Sequence, residues 1–362
     1  MTPTPFLAPP PIEPGSPTSA SNPDDITRLG ELLYVTWQNG VGPDGTPTNP
    51  KAGPFSTIAA YRADTGKLVT TYKVDGRCDG LTADPMHKRV LGTVNEDSNS
   101  SLFAIDPAQP TLHHYSYSNP PTGPQQNDGG TDAISIAPDG TKYVAHSNPS
   151  GDTAAVYTLS LSGSTASLTP YFGVNDTAPV INPGPQGPRS APLGLTDPDS
   201  NRFLPGDGGG TLVQVAQGDH KLVLATRGQR QKPQLRQLLL SNANGVGQPT
   251  LDDLVRVNGA GPLLVVDQKG NKVYSIDTGK LRPGTVIVSQ PAGDTSKPAL
   301  AVVNLSTGVV TDLNTSFVSP KGLLVMPADQ GNSDQGQRQG QGQGDGNNAD
   351  WGRGDGSQGS NG

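Results

Sequence analysis

Short apolar runs alternate with turn-forming residues along most of the chain. The runs are rich in β-branched residues, and each is bounded by Gly, Pro, Asp or Asn. Runs of this length and composition, separated by turn residues, predict β-strands. Residues 234–244 form the one stretch long enough for a helix, and we interpret it as another strand. Among the predicted strands are residues 32–36, 56–61, 67–72, 90–94, 142–145, 221–224 and 262–266.

The predicted strands recur as two alternating units. The first unit is a strand, a turn and a strand, and copies begin near residues 79, 132, 211 and 253. The second unit is a hairpin that closes on Thr-Gly or a similar pair, as in Asp64-Thr65-Gly66. One copy of each makes a four-stranded antiparallel sheet of about 40–60 residues, which is the repeat length of a propeller blade. The sequence therefore predicts an all-β fold, a β-propeller of about six four-stranded blades, with a two-sandwich or irregular β fold as the alternative.

Composition divides the chain into three regions. Residues 1–24 are rich in Pro, Ser and Thr and are predicted to form a disordered arm. Residues 25–328 hold the predicted propeller. Residues 329–362 consist mainly of Gly, Gln, Asn, Asp and Ser, and we expect a disordered tail there. We also expect one blade to be closed by both ends of the chain, with residues 320–326 beside residues 32–36.

Charge and cysteine content exclude several classes of protein. The formal net charge is −7, so the chain has no basic surface for nucleic acid. Its only cysteine is Cys78, so an intrachain disulfide or a cysteine-based zinc site is excluded. No apolar run is long enough for a transmembrane helix. The first residues lack the pattern of a signal peptide in the chain as given, but the low lysine content is typical of exported bacterial proteins. We expect a monomer located outside the cell or on its surface.

The propeller topology would collect polar residues on one face. The start of each inner strand and the end of the next strand lie on the same face, around the channel. The starts of the inner strands carry Asp79, Asp132 and either Asp252 or Asp253, with Asp207 as a further candidate. The ends of the second strands add polar and aromatic residues. The predicted ligand-binding rim comprises Trp37, Asp79, Asn95, Glu96, Asp132, Asn148 and Asp253.

These oxygen-bearing side chains are of the type that binds Ca²⁺ or Mg²⁺, with Asp79 and Asp132 as the candidate metal ligands. An alternative interpretation is structural, since an Asp before a strand often accepts hydrogen bonds from backbone N–H groups. The long Gly- and Pro-rich loop 38–54 is predicted to lie on the same face.

The motif Asp-Gly-Leu-x-x-Asp-Pro at residues 79–85, followed by a Val-rich strand, resembles bacterial propellers of the NHL, YncE and SMP-30/gluconolactonase-like group. Segments 78–85, 95–101, 131–136 and 195–201 are most similar to a family of exported bacterial propellers without an assigned activity. The SMP-30-like lactonases hold a divalent metal with Glu, Asn and Asp. Their first ligand lies in a Gly-Glu-Gly-Pro-x-Trp motif, whereas Gly30-Glu31 is followed here by Leu-Leu-Tyr.

The predicted fold and rim residues lead to two hypotheses about function. The first is a non-enzymatic binding module that presents the acidic rim and the long loop to a small molecule, a glycan or a protein. The second is a lactonase- or esterase-like hydrolase that depends on a divalent metal, with Asp79 or Asp132 as the base.

Overall fold

The structure is a computed structural model that describes residues 1–48, 53–109, 111–121, 129–149, 151–206, 209–228, 232–259, 261–292 and 297–327. Over these residues it is all-β, and the predicted fold class is confirmed. The one helical element that lies wholly within these ranges is the 3₁₀ turn Pro85–His87. None of the described residues forms a helix that is long and apolar enough to span a membrane. The predicted tail, 329–362, and the candidate Asp207 lie outside the described residues.

Blades 1 to 3 follow one another along the chain, and each contains four antiparallel strands. The outer strands of blades 2 and 3 pair in parallel, so these two blades form one eight-stranded sheet. Blade 1 contains Pro23–Leu29 (β2), Leu32–Trp37 (β3), Phe55–Arg62 (β4) and Leu68–Asp75 (β5). Blade 2 contains Cys78–Asp84 (β6), Arg89–Val94 (β7), Ser101–Ile105 (β8) and Leu112–Tyr117 (β9). Blade 3 contains Gly130–Ile136 (β10), Lys142–Ser147 (β11), Ala154–Ser162 (β12) and Thr165–Gly173 (β13).

Blade 4 follows a short hairpin made of Thr177–Pro179 (β14) and Ser190–Pro192 (β15). Blade 4 contains Pro198–Leu204 (β16), Thr211–Ala216 (β17), Lys221–Thr226 (β18) and Gln234–Leu239 (β19). Blade 5 contains Leu254–Arg256 (β21), Val286–Gln290 (β24), Ala299–Val303 (β25) and Val309–Asp312 (β26), with Ser241–Asn242 (β20) at its outer edge. Blade 6 contains Pro320–Val325 (β27), Leu263–Asp267 (β22), Lys272–Ile276 (β23) and Thr4–Leu7 (β1).

The chain crosses between blades 5 and 6 before either is complete. After β21 it enters blade 6 as β22 and β23, and it then returns to blade 5 as β24. The crossing requires close packing at Gly261, where a Cβ would overlap the carbonyl of Met326. The sequence predicted that β21 and β22 belong to one repeat, and that assignment is wrong.

Both ends of the chain close blade 6. Strand β27 pairs with β22 on the inner side, and β1 pairs with β23 on the outer side. Closure by both ends is therefore correct, but residues 32–36 belong to blade 1, where β3 pairs with β2. The expected disordered arm also needs correction, because β1 lies within it and Leu7 is only 1% exposed in the core.

The hydrophobic core lies between the blades. Six clusters of buried side chains each join two neighbouring blades, and the six inner strands contact one another in a closed ring. In β3, for example, Leu33 and Val35 pack toward blade 6, whereas Tyr34 packs toward blade 2. Since successive strand residues point to opposite faces, strands buried on both faces appear in the sequence as continuous apolar runs.

Candidate functional site

Every inner strand begins with the same local irregularity. In β6, Cys78 pairs with Val94 but the next paired residue is Leu81, opposite Gly92, so the inner strand carries one extra residue. This is the geometry of a β-bulge. The same shift occurs in β2, β10, β16 and β27. In blade 5 the corresponding residues are Asp252 and Asp253. The Asp252 N–H donates to Ser289 O, and Asp253 O accepts the Ser289 N–H.

The first bulge residue is acidic in five of the six blades. We call Asp24, Asp79, Asp132, Asp199 and Asp252 the acidic ring, and Lys321 of blade 6 completes its circle. All of these except Asp252 line an entirely polar cavity of about 240 Å³ at the mouth of the channel. The second bulge residues, together with the acidic ring, line a narrower cavity of about 30 Å³ behind it, which is large enough to hold water.

Three basic side chains neutralise part of this charge. Lys321 Nζ lies 2.5 Å from Asp252 Oδ1. Arg77 lies 3.0 Å from Asp79 Oδ1 and 2.6 Å from Glu96 Oε1. Deeper in the channel, Arg202 Nη2 lies 2.6 Å from Asp253 Oδ2. The pairs of Lys321 with Asp252 and of Arg202 with Asp253 each join two different blades, whereas Arg77 pairs with carboxylates of its own blade.

One carboxylate of the acidic ring has a buried oxygen without a hydrogen-bond donor among the described residues. Asp79 is 4% exposed, and its Oδ1 accepts a hydrogen bond from Gln38 Nε2 at 2.8 Å. Its Oδ2 is buried and has no hydrogen-bond partner among the described residues. Asp132 is 8% exposed and lines the same polar cavity. A buried carboxylate oxygen without a donor is energetically costly.

Burial shifts the protonation of the ring. It raises the pKa values of Asp79, Asp132 and Asp199 well above their ordinary range, and neighbouring carboxylates add to the shift for Asp132 and Asp199. The pKa of Asp24 rises to about 6, through burial opposed by Lys321. Burial disfavours the charged form of Lys321, but Asp252, Asp24 and Asp199 outweigh it and raise the Lys321 pKa.

The second bulge position holds two further carboxylates that act within the fold. Asp25 Oδ2 accepts the N–H of Leu81 in blade 2 at 2.7 Å, and Asp253 Oδ2 accepts the N–H of Leu323 in blade 6 at 2.8 Å. Each therefore satisfies a donor on the inner strand of the neighbouring blade. For Asp253 this agrees with the structural interpretation of an Asp before a strand, although it also lines the narrow cavity.

The other predicted rim residues have different positions. Trp37 is not part of the rim, because it is fully buried in the core between blades 6 and 1. Asn95 does not line the cavity either, since its Oδ1 accepts the Arg77 N–H and its Nδ2 donates to Asn99 O. Glu96 and Asn148 do line the mouth, and Asn148 Nδ2 donates to Asp97 Oδ1 at 2.9 Å.

The sequence reasoning missed Asp24, Asp199 and Lys321. Asp24 was assigned to the predicted arm, and the start of blade 4 was expected near residue 208 rather than at Pro198. A usable signal was present. Near the start of each inner strand a charged residue is followed by one more residue and then usually by an aliphatic residue, as in Asp79-Gly80-Leu81 and Lys321-Gly322-Leu323.

The acidic ring does not have the arrangement of a metal site. Among the described residues, no three His, Cys, Asp or Glu side chains are placed to hold one metal ion. Glu31, which stands where the lactonase-like family has its first ligand, is exposed at the turn after β2 and pairs with Arg62 at 2.9 Å. The residues therefore do not fit the divalent-metal set that the resemblance implies.

Comparison with known proteins shows that the fold of this chain is similar to that of several solved structures. No protein-family model and no curated protein matches the chain. A solved protein from Lactobacillus plantarum has a TM-score of 0.49 and 12% identity, over 86% of this chain and 89% of that one. The periplasmic gluconolactonase PpgL of Pseudomonas aeruginosa has a TM-score of 0.49 and 14% identity, over 85% and 90%. Regucalcin, a calcium-binding protein of Agrobacterium tumefaciens, has a TM-score of 0.42 and 11% identity, over 88% and 75%. At these identities the likeness concerns the fold alone.

Proposed function

We propose that this protein is a binding module whose acidic ring takes a small polar ligand bearing a cationic nitrogen group. The observation that carries the proposal is Asp79 Oδ2, a buried oxygen without a hydrogen-bond donor among the described residues, beside the buried Asp132 at one polar cavity. An ammonium or guanidinium group supplies both the missing N–H donors and the missing positive charge.

The charge of the cavity supports this choice. Among the described residues, six carboxylic side chains line the mouth, against two basic ones, Arg77 and Lys321. Unpaired carboxylates in a partly dehydrated site are relieved either by protons or by a bound cation. Burial raises the pKa values of Asp79 and Asp132, and this direction favours their protonated forms when no cation is bound. A cationic ligand would then displace protons when it binds.

Calorimetric titration with putrescine tests the proposal, and 1,4-butanediol serves as its neutral isostere. We expect putrescine to bind and the diol not to bind. The observed enthalpy should differ between two buffers of different ionisation enthalpy, because binding releases protons. Asp79→Asn and Asp132→Asn should each weaken binding about tenfold or more. Asp64→Asn, at an exposed pair with Arg62, is the matched control and should have no effect.

Equal binding of the diol, or unchanged putrescine binding in both ring variants, would contradict the proposal. Proton release is the readout that separates binding in the acidic ring from loose association with a negatively charged surface.

A second candidate function is hydrolysis of a lactone or another ester. The observation in its favour is Asp24, whose pKa of about 6 suits a group that exchanges protons near neutral pH. A screen of lactones and esters, with and without added Ca²⁺ or Mg²⁺, tests this function. Turnover that is lost in Asp24→Asn with the fold intact would favour it over the binding module. We also propose, from the motif at residues 79–85, that the chain belongs to the NHL, YncE and SMP-30-like group.

A further inference from the structure

A second cavity lies on the face opposite the acidic ring. It has a volume of about 500 Å³ and is formed between blades 3 and 4. Its walls include the turn from β10 to β11, the end of β16 and the end of β18. Since the inner strands β10 and β16 begin at the acidic ring and run away from it, this cavity is separate from the proposed cation site.

Aromatic side chains form much of its lining. Tyr143 and Tyr171 have ring centroids 4.9 Å apart and tilted by 52°. The Tyr143 and Phe203 rings are parallel to within 5°, with centroids 6.4 Å apart. Gly210 permits the position of Phe203, because a Cβ there would lie 2.5 Å from Phe203 Cε1. Aromatic faces of this kind favour a flat ring as the bound group.

The described side chains at the edge of this cavity carry a net positive charge, although the protein as a whole is negatively charged. Of the described residues that line it, Arg227 and Lys232 are basic and Asp139 is the one carboxylate. The Arg227 side chain is 78% exposed, and its 3.5 Å contact with Asp139 Oδ2 leaves most of its five N–H donors available. A guanidinium group held this loosely beside aromatic walls can bind a carboxylate, sulfonate or phosphate.

We propose that the cavity is a second binding site, which takes a planar aromatic group with an anionic substituent. Its volume lies in the range of small-molecule sites, and it combines apolar walls with a few polar groups at the edge. The ring would lie against Tyr143, Tyr171 and Phe203, and the anion would face Arg227. This site neither depends on the acidic ring nor shares a side chain with it.

Fluorescence titration with 8-anilinonaphthalene-1-sulfonate tests the site, because this probe is an aromatic anion. N-phenyl-1-naphthylamine provides the same rings without the charge. We expect one sulfonate probe to bind per chain. Arg227→Gln should weaken it about fivefold while leaving the neutral probe unchanged. Phe203→Leu should weaken both probes.

Two controls make the result specific. Arg189→Gln removes a charge from an exposed residue outside this cavity and should leave both affinities unchanged. Asp79→Asn should also leave them unchanged, which separates this site from the acidic ring. Because Arg227 is exposed, its variant tests the site even if Phe203→Leu fails to fold. Sulfonate binding that Arg227→Gln does not weaken would overturn the anionic assignment. Absence of any saturable binding would overturn the site.

Discussion

The buried ion pair between Arg202 and Asp253 gives the most informative test of how the inner strands are held together. Arg202 belongs to blade 4, and its guanidinium donates to Leu254 O of blade 5 and to Leu323 O of blade 6 as well as to Asp253. Burial raises the pKa of Asp253, and Arg202 opposes that shift. Removing Arg202 therefore leaves a buried carboxylate without its cation, close to the equally buried Asp25.

We expect Arg202→Gln to lower the free energy of unfolding at pH 8 by about 3–5 kcal/mol, the usual cost of breaking a buried pair. With an unfolding entropy of ~2.1 cal/mol/K per residue over roughly 300 ordered residues, the midpoint should fall by about 5–8 °C. Loss of the arginine raises the Asp253 pKa further. The folded variant therefore gains protons as the pH falls, and the destabilisation should be smaller at pH 5 than at pH 8.

Differential scanning calorimetry and urea unfolding at both pH values would measure these changes. Arg62→Gln is the matched control, because Arg62 pairs with Glu31 at the surface, and it should lower the free energy of unfolding far less than Arg202→Gln does. The double variant Arg202→Gln/Asp253→Asn should recover part of the loss. If Arg202→Gln resembles Arg62→Gln at both pH values, the reasoning about the buried charge is wrong.

Three further predictions concern charge, packing and closure. Burial raises the folded-state pKa values of Asp24 and Asp25 to about 6 and about 8, so the free energy of unfolding without ligand should be greatest near pH 4 and decline as the pH rises to 8. Thermal melts across this range measure the trend, and a melting temperature that rises with pH would contradict it. Gly80→Ala should destabilise by about 1–3 kcal/mol, since its Cβ would lie 2.7 Å from backbone atoms of blade 3, whereas Gly184→Ala meets no atom within 4 Å and should be nearly neutral in urea unfolding. Leu7→Ala should cost about 2–5 kcal/mol, because Leu7 anchors the closing strand β1 in the core; a loss below 1 kcal/mol would refute that role.

Local patterns in the sequence determined much of the fold. The short β-branched runs and the turn residues between them specify strands, and the repeat length specifies blades. Asp79 and Asp132 could be placed at the channel because strand direction alternates within a blade. These features depend on residues close together in the chain, and for that reason the sequence reveals them.

Only the tertiary structure decided which strands pair and which polar groups meet. The apolar sequence of strand β22 would fit blade 5 as well as blade 6, so its composition does not show that it belongs to blade 6. The position of Trp37 was ambiguous for a similar reason, since a residue at the end of a strand can lie either at the rim or in the core. Asp24, Asp199 and Lys321 join the acidic ring through contacts between residues up to about three hundred positions apart, and closure by β1 and β27 brings them together. Strand pairing is a nonlocal choice governed by burial on both faces, whereas strand formation is a local one.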